Sequence, residues 1–291
     1  MFLLIIVTLG IIIIAYFSEE DKKVINGHTH TSFSHDGKGT VEDLCLEAIS
    51  CGLSGFAVTD HCDCECANDK TMTENIKASF FAAKAAQQKY ADKLTVIKGI
   101  EIGEALFDRS FAEKMLTSLP WDMVLGSVHA VRYDGFTMPF SVIDFSDKSD
   151  EFIDKYVTLY FEDLLEMSCT IDYDVLSHLT VVLRYVIHKY NRRIDISKHN
   201  AIIEEILKSV ITNNKALEVN TSGFCDGYLM PDINIVEAYY NLGGRRIILG
   251  SDAHTPEKLT QGLEETAKTL KEIGFDSLTY YINRKPFEYS L

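Results

Sequence analysis

Seven short apolar runs, rich in β-branched residues, recur along this chain and alternate with helical patterns. The runs cover residues 24–28, 55–60, 94–100, 122–128, 172–177, 215–220 and 246–251. Each run is apolar almost throughout, which is typical of a strand in a parallel sheet that is covered on both faces. Because no linker or low-complexity stretch interrupts the series, the pattern favours one α/β domain.

Helical patterns fill the intervals between the predicted strands. Thr40 and Asp43 have the spacing of a capping box, and the helix that they open ends near Cys51-Gly52. Further helices are expected over residues 73–90, 149–168, 181–210 (as one or two helices), 232–242 and 256–273. Residues 130–148 are expected to form a loop over the functional site.

Seven of the nine histidines lie in short clusters with acidic residues, at or just after the ends of the predicted strands. The members of these clusters are His28, His30, His35, Asp60, His61, Glu101, His129, His178, Asp252 and His254. Imidazole and carboxylate groups are the usual ligands of borderline divalent metals. Because one metal takes about four to six ligands, a set of this size predicts two or three metals and a metal-dependent hydrolase.

The position of these clusters bears on the fold. In a closed barrel the carboxyl ends of the parallel strands converge on one axis, so residues far apart in sequence can share a metal. We therefore predict a TIM-like α/β barrel with the metal site at the C-terminal ends of its strands. A doubly wound open sheet is the alternative architecture.

Spacing and burial distinguish some of the candidate ligands. His28 and His30 lie two residues apart on an extended segment, so both side chains project to one face. A buried carboxylate such as Glu101 is costly unless it is paired or metal-bound, and a role as a bridge between two metals is predicted for it. His61 is the expected ligand beside Asp60, which would orient a neighbouring imidazole or donate a proton.

Other histidines have simpler interpretations. His129 and His178, each taken alone, are also compatible with hydrogen-bonded core histidines. His188 and His199 lie in helical surroundings rich in basic residues and are not predicted to be ligands.

The first residues of the chain form a distinct apolar segment. As a helix, residues 2–17 would span about 24 Å, which is shorter than the roughly 30 Å hydrocarbon core of a bilayer. We expect residues 1–20 to be a weak membrane anchor, a docking helix or the product of a start site upstream of the natural one, and residues 22–291 to form the functional domain. Lys22 and Lys23 would keep that domain in the cytoplasm.

Charge and cysteine content narrow the class of partner. The formal net charge is −15, so no basic stripe is available for a nucleic-acid backbone. A small phosphorylated substrate remains compatible, because bound metals would make the site locally positive. The seven cysteines show no framework of paired spacings, which predicts reduced thiols in the cytoplasm.

The ordered motifs H-x-H, T-D-H, G-I-E, G-S-V-H, S-H and G-S-D-A-H resemble the polymerase-and-histidinol-phosphatase (PHP) superfamily, within it the histidinol-phosphatases. The resemblance covers about residues 24–291. It includes the stretches 125–129, His178-Leu179 with Arg184-Tyr185, 218–223, 249–254 and 283–286.

This resemblance implies a distorted (β/α)7 barrel with three divalent metal ions, which would be Zn, Mn or Fe. One metal would be held by His28, His30, Glu101 and Asp252; a second by Glu101, His129 and His178; a third by His35, His61 and His254. Asp60, Glu101 and His254 would be catalytic. The implied reaction is phosphomonoester hydrolysis, with L-histidinol phosphate in histidine biosynthesis as the expected substrate and a nucleotide or another small phosphate ester as the alternative.

Two departures from the family pattern concern the substrate. Phe224-Cys225 stands where relatives tend to have a phosphate-binding arginine, and Thr180 stands where they often have an aspartate. Arg184 is then the remaining basic candidate for the phosphate. An ordinary surface arginine on a helix is the competing interpretation of Arg184.

Overall fold

The computed structural model describes residues 3–8, 11–16 and 24–291 of the chain. Strands β1 (Leu3–Thr8) and β2 (Ile11–Tyr16) pair as an antiparallel hairpin, so much of the apolar segment is extended and not helical. Within the described ranges, no helix has the length and apolarity needed to cross a bilayer. The predicted domain boundary, between residues 20 and 22, lies outside the described residues.

The remaining elements alternate between strand and helix over most of the chain. The strands are β3 (Ile25–Thr29), β4 (Gly55–Val58), β5 (His61–Asp63), β6 (Thr95–Gly103), β7 (Met123–Ser127), β8 (Ala130–Tyr133), β9 (Phe136–Pro139), β10 (Val175–Leu176), β11 (Ala216–Asn220), β12 (Ile247–Gly250), β13 (Ser277–Ile282) and β14 (Lys285–Ser290). The helices are α1 (Val41–Ser50), α2 (Lys70–Lys89), α3 (Arg109–Ser118), α4 (Asp150–Thr170), α5 (Val181–Leu183), α6 (Asn200–Thr212), α7 (Ile233–Asn241) and α8 (Leu263–Ile273).

Seven parallel strands form a nearly closed barrel. Their order is β12-β11-β10-β7-β6-β4-β3, and the short β5 continues beside β6. The two end strands meet through a parallel bridge between Thr29 and Ala253. Its hydrogen bonds run from His30 N to the Ala253 carbonyl and from Asp252 N to the His28 carbonyl, both at 2.9 Å. The predicted barrel is confirmed, and the open-sheet alternative is wrong.

All seven predicted strands are present, and the predicted capping box begins α1. Thr40 accepts a hydrogen bond from Asp43 N, and the Asp43 carboxylate accepts one from Thr40 N. Helix α3 and the β13–β14 hairpin were not predicted. Residues 130–148, predicted as a loop, instead begin with the β8–β9 hairpin.

The barrel interior changes character along its axis. Side chains two residues apart on a strand share a face, so Ile97 and Glu101 both point inward from β6. Ile97, Met123, Leu125 and Ala216 belong to a buried apolar cluster inside the barrel. Tyr281 on β13 belongs to the same cluster, and Tyr289 on β14 packs against it. Apolar side chains therefore fill one half of the barrel interior, and the candidate ligands occupy the other half, at the carboxyl ends of the strands.

Candidate metal centre

The carboxyl ends of the barrel strands bring most of the predicted ligands together. The gathered side chains are His28 on β3, His30 after it, His61 on β5, Glu101 on β6, His129 after β7, His178 after β10, and Asp252 and His254 after β12. Most of them are buried; His129 and His254 have side chains that are 21% and 29% exposed. His129 and His178, each of which could have been a hydrogen-bonded core histidine when considered alone, are part of the cluster.

Glu101 lies at the centre of the cluster. Its Oε2 atom is 2.8 Å from His61 Nδ1 and 3.4 Å from His28 Nε2. Its Oε1 atom is 2.9 Å from His178 Nε2 and 3.3 Å from His129 Nε2. The two carboxylate oxygens thus face different pairs of imidazoles, which is the geometry expected of a bridging carboxylate.

Hydrogen bonds at Nδ1 orient two of the rings. His28 Nδ1 is 2.7 Å from Glu218 Oε1, and His30 Nδ1 is 3.2 Å from Ser34 Oγ. With Nδ1–H donating in each ring, the two Nε2 atoms face each other at only 3.0 Å. Two nitrogen lone pairs repel at this distance, so a proton or a metal ion must lie between them. Asp252 Oδ1, 3.2 Å from His30 Nε2, completes a set that fits a divalent cation.

A third group of imidazoles lies on the open side of the cluster. The ring of His30 stacks on those of His61 and His254 with centroids 4.2 and 4.3 Å apart. His254 Nδ1 is 2.9 Å from the Asp252 carbonyl, which leaves Nε2 as the ring nitrogen that faces away from that carbonyl. These three rings present nitrogen atoms close enough to share one ion.

The structure places His35 at the cavity surface and outside the buried part of the cluster. Its side chain is 71% exposed, its Nε2 atom is 3.8 Å from Asp36 Oδ2, and its ring centroid is 5.4 Å from that of His61. The role of His35 as a ligand stays a prediction. Asp36 itself turns toward the cluster, with Oδ2 3.1 Å from His254 Nε2 and Oδ1 3.7 Å from His61 Nε2.

Asp60 lies in a network of hydrogen bonds beside the cluster and does not line the cavity above it. Its two oxygens accept hydrogen bonds from Thr31 N, Thr31 Oγ1, Ser34 Oγ and Ser79 Oγ, at 2.5–2.8 Å. A role of Asp60 as a proton donor stays a prediction. The expectation that Asp60 orients an imidazole fits this network, because it fixes Ser34, which in turn accepts from His30.

Several residues near the cluster were missed at the sequence level. Glu218 accepts from His28 Nδ1 and, at 2.6 Å, from His178 N, so it braces two candidate ligands. Gly250 allows this approach, since a Cβ there would lie 2.0 Å from Glu218 Oε1. On the other side, Glu104 accepts from Ala130 N at 2.9 Å and from the backbone of His129.

A cavity of about 500 Å³ opens above the cluster. His61, His129, His178 and His254 lie at its floor, and Arg184 and Tyr185 line one wall. Phe33, Pro139, Phe140, Ser141 and Val142 also line it, so part of the stretch 130–148 does cover the site as predicted.

Arg184 faces this cavity from the segment that follows α5. Its guanidinium donates to Ser222 Oγ and lies 3.9 Å from Asp252 Oδ2. The side chain is 26% exposed, so it can reach both the metal cluster and a ligand in the cavity. Cys225, which the sequence analysis contrasts with an expected arginine, is exposed.

Burial and neighbouring charges set the protonation of the metal-free cluster. Burial opposes the charged form of His61, but Glu101 and Asp63 outweigh it and raise the pKa of His61 to about 9. For Glu101, burial is likewise outweighed, here by His28, His61 and His129, and its pKa is held well below its usual range. Burial, together with the neighbouring His61, lowers the pKa of His30 to about 4.

We therefore expect metal binding to release protons. At pH 7 the metal-free His61 ring is charged, because its pKa of about 9 lies above the ambient pH. A metal needs the neutral ring, so its apparent affinity should fall roughly tenfold per pH unit on acidification for each proton displaced. Calorimetric titration of the metal-free protein at pH 7, in two buffers of different ionisation enthalpy, measures how many protons are released when the metal binds. A titration without proton release, with an affinity that is flat between pH 6 and 8, would contradict it.

Comparison with known proteins identifies the family. The model of the PHP domain family matches residues 26–222. The chain belongs to the PHP domain family. The resemblance predicted from the motifs is therefore confirmed. The predicted ligands from His28 to His178 lie in the matched range, and Asp252 and His254 lie beyond its C-terminal end.

Similar proteins cover this PHP chain almost completely. A probable histidinol-phosphatase of Thermotoga maritima is 31% identical over 262 residues, or 88% of this chain and 94% of the relative. A histidinol-phosphatase of Lactococcus lactis is 26% identical over 270 residues, or 90% and 96% of the two chains.

Solved structures share the fold. The crystal structure of a Lactococcus lactis histidinol phosphate phosphatase, complexed with Zn, L-histidinol and phosphate, has a TM-score of 0.73 and 24% identity. The match covers 91% of this chain and 99% of the Lactococcus lactis chain. This match shows that the two chains share a fold. The imidazole–carboxylate groups described above have the donor atoms and the spacing that suit a divalent metal ion.

Proposed function

We propose that this protein is a metal-dependent phosphomonoester hydrolase that converts L-histidinol phosphate and water to L-histidinol and phosphate. The observation that carries the proposal is the pair of facing Nε2 atoms of His28 and His30, 3.0 Å apart and beside Asp252. Asp252 also lines the cavity that the Arg184 side chain lines. A site that combines ligands for divalent cations with a guanidinium group suits the binding of a phosphate ester. We choose histidinol phosphate as the ester because similar proteins are described as histidinol-phosphatases.

We assign three groups of ligands to three divalent ions, which would be Zn, Mn or Fe. The groups are His28, His30, Glu101 and Asp252; Glu101, His129 and His178; and His61 with His254. When bound, such ions polarise phosphoryl oxygens and lower the pKa of an attacking water. The Lactococcus lactis relative is complexed with Zn, which makes Zn one candidate for this chain.

The protein's own side chains would supply binding and orientation. Arg184 would hold the phosphate through its fork of N–H donors. Phe140 and Tyr185, whose ring centroids are 4.8 Å apart, would cover the organic part of the ester. Glu218 and the Asp60–Ser34 pair would keep the imidazoles in the orientation that presents Nε2.

A panel of phosphate esters tests this function. Purified protein loaded with Zn, Mn or Fe is given histidinol phosphate, glycerol phosphate, phosphoserine and AMP, and phosphate release is measured. We expect the highest kcat/KM for histidinol phosphate. Preference for AMP by tenfold or more would favour the nucleotide alternative.

We also propose that residues 22–291 form the complete catalytic unit and act in the cytoplasm. All seven cysteines are free thiols, which suits a reducing compartment. Association with membranes through residues 2–17 stays a prediction.

Deletion of residues 1–20 is expected to leave kcat/KM and metal content within about twofold of the full-length values, because the first assigned ligand is His28. The melting temperature and the sedimentation of both forms with membranes are measured alongside. A truncated protein that is insoluble or inactive would mean that the apolar segment is needed by the barrel.

A further inference from the structure

We infer that the carboxylates of Asp63, Glu65 and Glu104 form a further cation site, beside the metal centre and separate from its ligands, for a hard divalent ion such as Ca²⁺. The inference does not rest on the proposed hydrolytic function. Asp63 is the last residue of β5, Glu65 lies two residues further on, and Glu104 directly follows β6. The strands β5 and β6 are parallel neighbours in which Asp63 is paired with Gly103, so the three carboxylates come together where these strands end.

Each of the three carboxylates has a buried oxygen atom that lacks a hydrogen-bond partner among the described residues. These atoms are Asp63 Oδ1, Glu65 Oε2 and Glu104 Oε2. In the same part of the chain, the ion-pair partners of Asp63 and Glu104 are imidazoles, those of His61 and His129. The Glu104 side chain is completely buried, and a buried anionic oxygen without a donor costs free energy. A cation or a proton must therefore lie among these oxygens.

The imidazole of His129 separates this group from the metal centre. Its Nε2 atom faces Glu101 Oε1 at 3.3 Å, whereas its Nδ1 atom is 3.5 Å from Asp63 Oδ1 and 3.8 Å from Glu104 Oε2. The carboxyl group of Glu65 lies within hydrogen-bonding range of Glu104. Because Nε2 serves the metal centre, Nδ1 carries the proton and can donate to Asp63. His129 thus contacts the group without being one of its ligands, and the other carboxylate oxygens are left for the ion.

The backbone fixes the carboxylates at this place. Glu104 has a φ of 51°, which is uncommon for a residue with a Cβ atom. Its Oε1 atom accepts from Ala130 N at 2.9 Å and from the backbone of His129, so Oε2 is the oxygen that remains for an ion. Gly103 makes room for the group, because a Cβ there would lie 2.4 Å from Asp63 Oδ1 and 3.1 Å from His129 Nδ1.

The donor atoms indicate the class of ion. Carboxylate oxygens without imidazole or thiolate ligands suit hard cations, Ca²⁺ among them, whereas Zn²⁺ is more often bound by nitrogen and sulfur. Asp63 and Glu65 also line the cavity, so an ion can enter from solvent and keep water molecules among its ligands. We therefore expect this site to differ in metal preference from the imidazole-rich centre next to it.

Metal analysis of the zinc-loaded protein tests the inference. Wild type, Glu104→Gln, Glu65→Gln and Asp69→Asn are saturated with Zn, dialysed against Ca²⁺ at concentrations up to about 1 mM, and assayed for both metals per chain. We expect about one equivalent of Ca²⁺ in wild type, and at least roughly tenfold weaker Ca²⁺ affinity in both glutamine variants, with unchanged Zn content.

Two features of the variants make the comparison specific. Glu104→Gln keeps a carbonyl oxygen for the backbone donors of His129 and Ala130, so it removes the charge and retains those hydrogen bonds. Asp69→Asn is the matched control, because Asp69 is an exposed acid that lines the same cavity. We expect it to bind Ca²⁺ like the wild type. If Glu104→Gln does not fold, as judged by its melting temperature, Glu65→Gln at its partly exposed position carries the test.

Three results would overturn the inference. The first is a wild type that binds no Ca²⁺, and the second is a Ca²⁺ equivalent that the glutamine variants retain. The third is a loss of Zn together with Ca²⁺, which would mean that the carboxylates only support the metal centre. A shared proton is the competing occupant; infrared spectra would then show a protonated carboxyl band that Glu104→Gln removes and Ca²⁺ leaves unchanged. Phosphate release is not a readout here, so the outcome is independent of the proposed function.

Discussion

Replacing Glu101 by glutamine is expected to remove more than one equivalent of metal and to lower kcat/KM for histidinol phosphate by about a thousandfold or more. Its two oxygens face two different pairs of imidazoles, so one neutral amide weakens two ion sites at once. Metals of this kind contribute several kcal/mol of charge stabilisation in the transition state, and a factor of ten in rate is about 1.4 kcal/mol. Metal analysis and steady-state kinetics on the same preparation measure both effects.

Glu218→Gln is the matched control for this change. Glu218 is as buried as Glu101 but contacts His28 Nδ1 and the backbone of His178, and no Nε2 atom. We expect it to weaken metal affinity by roughly ten- to a hundredfold while saturating metal restores full stoichiometry. If Glu101→Gln keeps all its metal and turns over normally, the bridging role is wrong.

Arg184→Ala is expected to lower kcat/KM for histidinol phosphate by roughly ten- to a hundredfold or more, with unchanged metal content. A charged hydrogen bond to phosphate contributes about 1.5–3 kcal/mol, and alanine supplies no replacement. Arg184→Lys, which keeps the charge but not the fork, should recover only part of the loss. Initial rates over a range of substrate concentrations separate the effects on KM and kcat.

Arg109→Ala controls for the general loss of an arginine. Arg109 lies on α3, is 45% exposed, and pairs with Glu166 away from the cavity. Its removal should be kinetically silent. If Arg184→Ala is equally silent, the phosphate is held by other groups and the cavity is built for a different ester.

The barrel could be predicted from the sequence because the same pattern, an apolar run followed by potential metal ligands, occurs several times along the chain. Six of the seven apolar runs end in potential metal ligands. Convergence of the strand ends in a barrel explains how residues as distant in sequence as His28 and Asp252 can serve one site. The strand runs were recognisable because both faces of each strand are buried. Helix α3 was missed because a short amphipathic helix gives a weaker pattern than a β-branched run.

The sequence could not predict which of two neighbouring loop side chains faces the candidate metal centre. His35 and Asp36 are neighbours, and imidazole is the more usual ligand, yet the turn braced by Gly37 and Lys38 directs Asp36 inward. Glu218 was missed although a signal existed, because the cost of burying a carboxylate applied to it as well as to Glu101. The role of Asp60 depends on hydrogen bonds from Thr31, Ser34 and Ser79, which no spacing reveals.

The most direct test of the account is a metal titration of activity. Metal-free protein is given increasing equivalents of Mn or Zn, and phosphate release from histidinol phosphate is recorded at each point. We predict no release above background without metal, and activity that rises until about three equivalents are bound. Full activity of the metal-free protein, or no hydrolysis of histidinol phosphate by the fully loaded protein, would contradict the account.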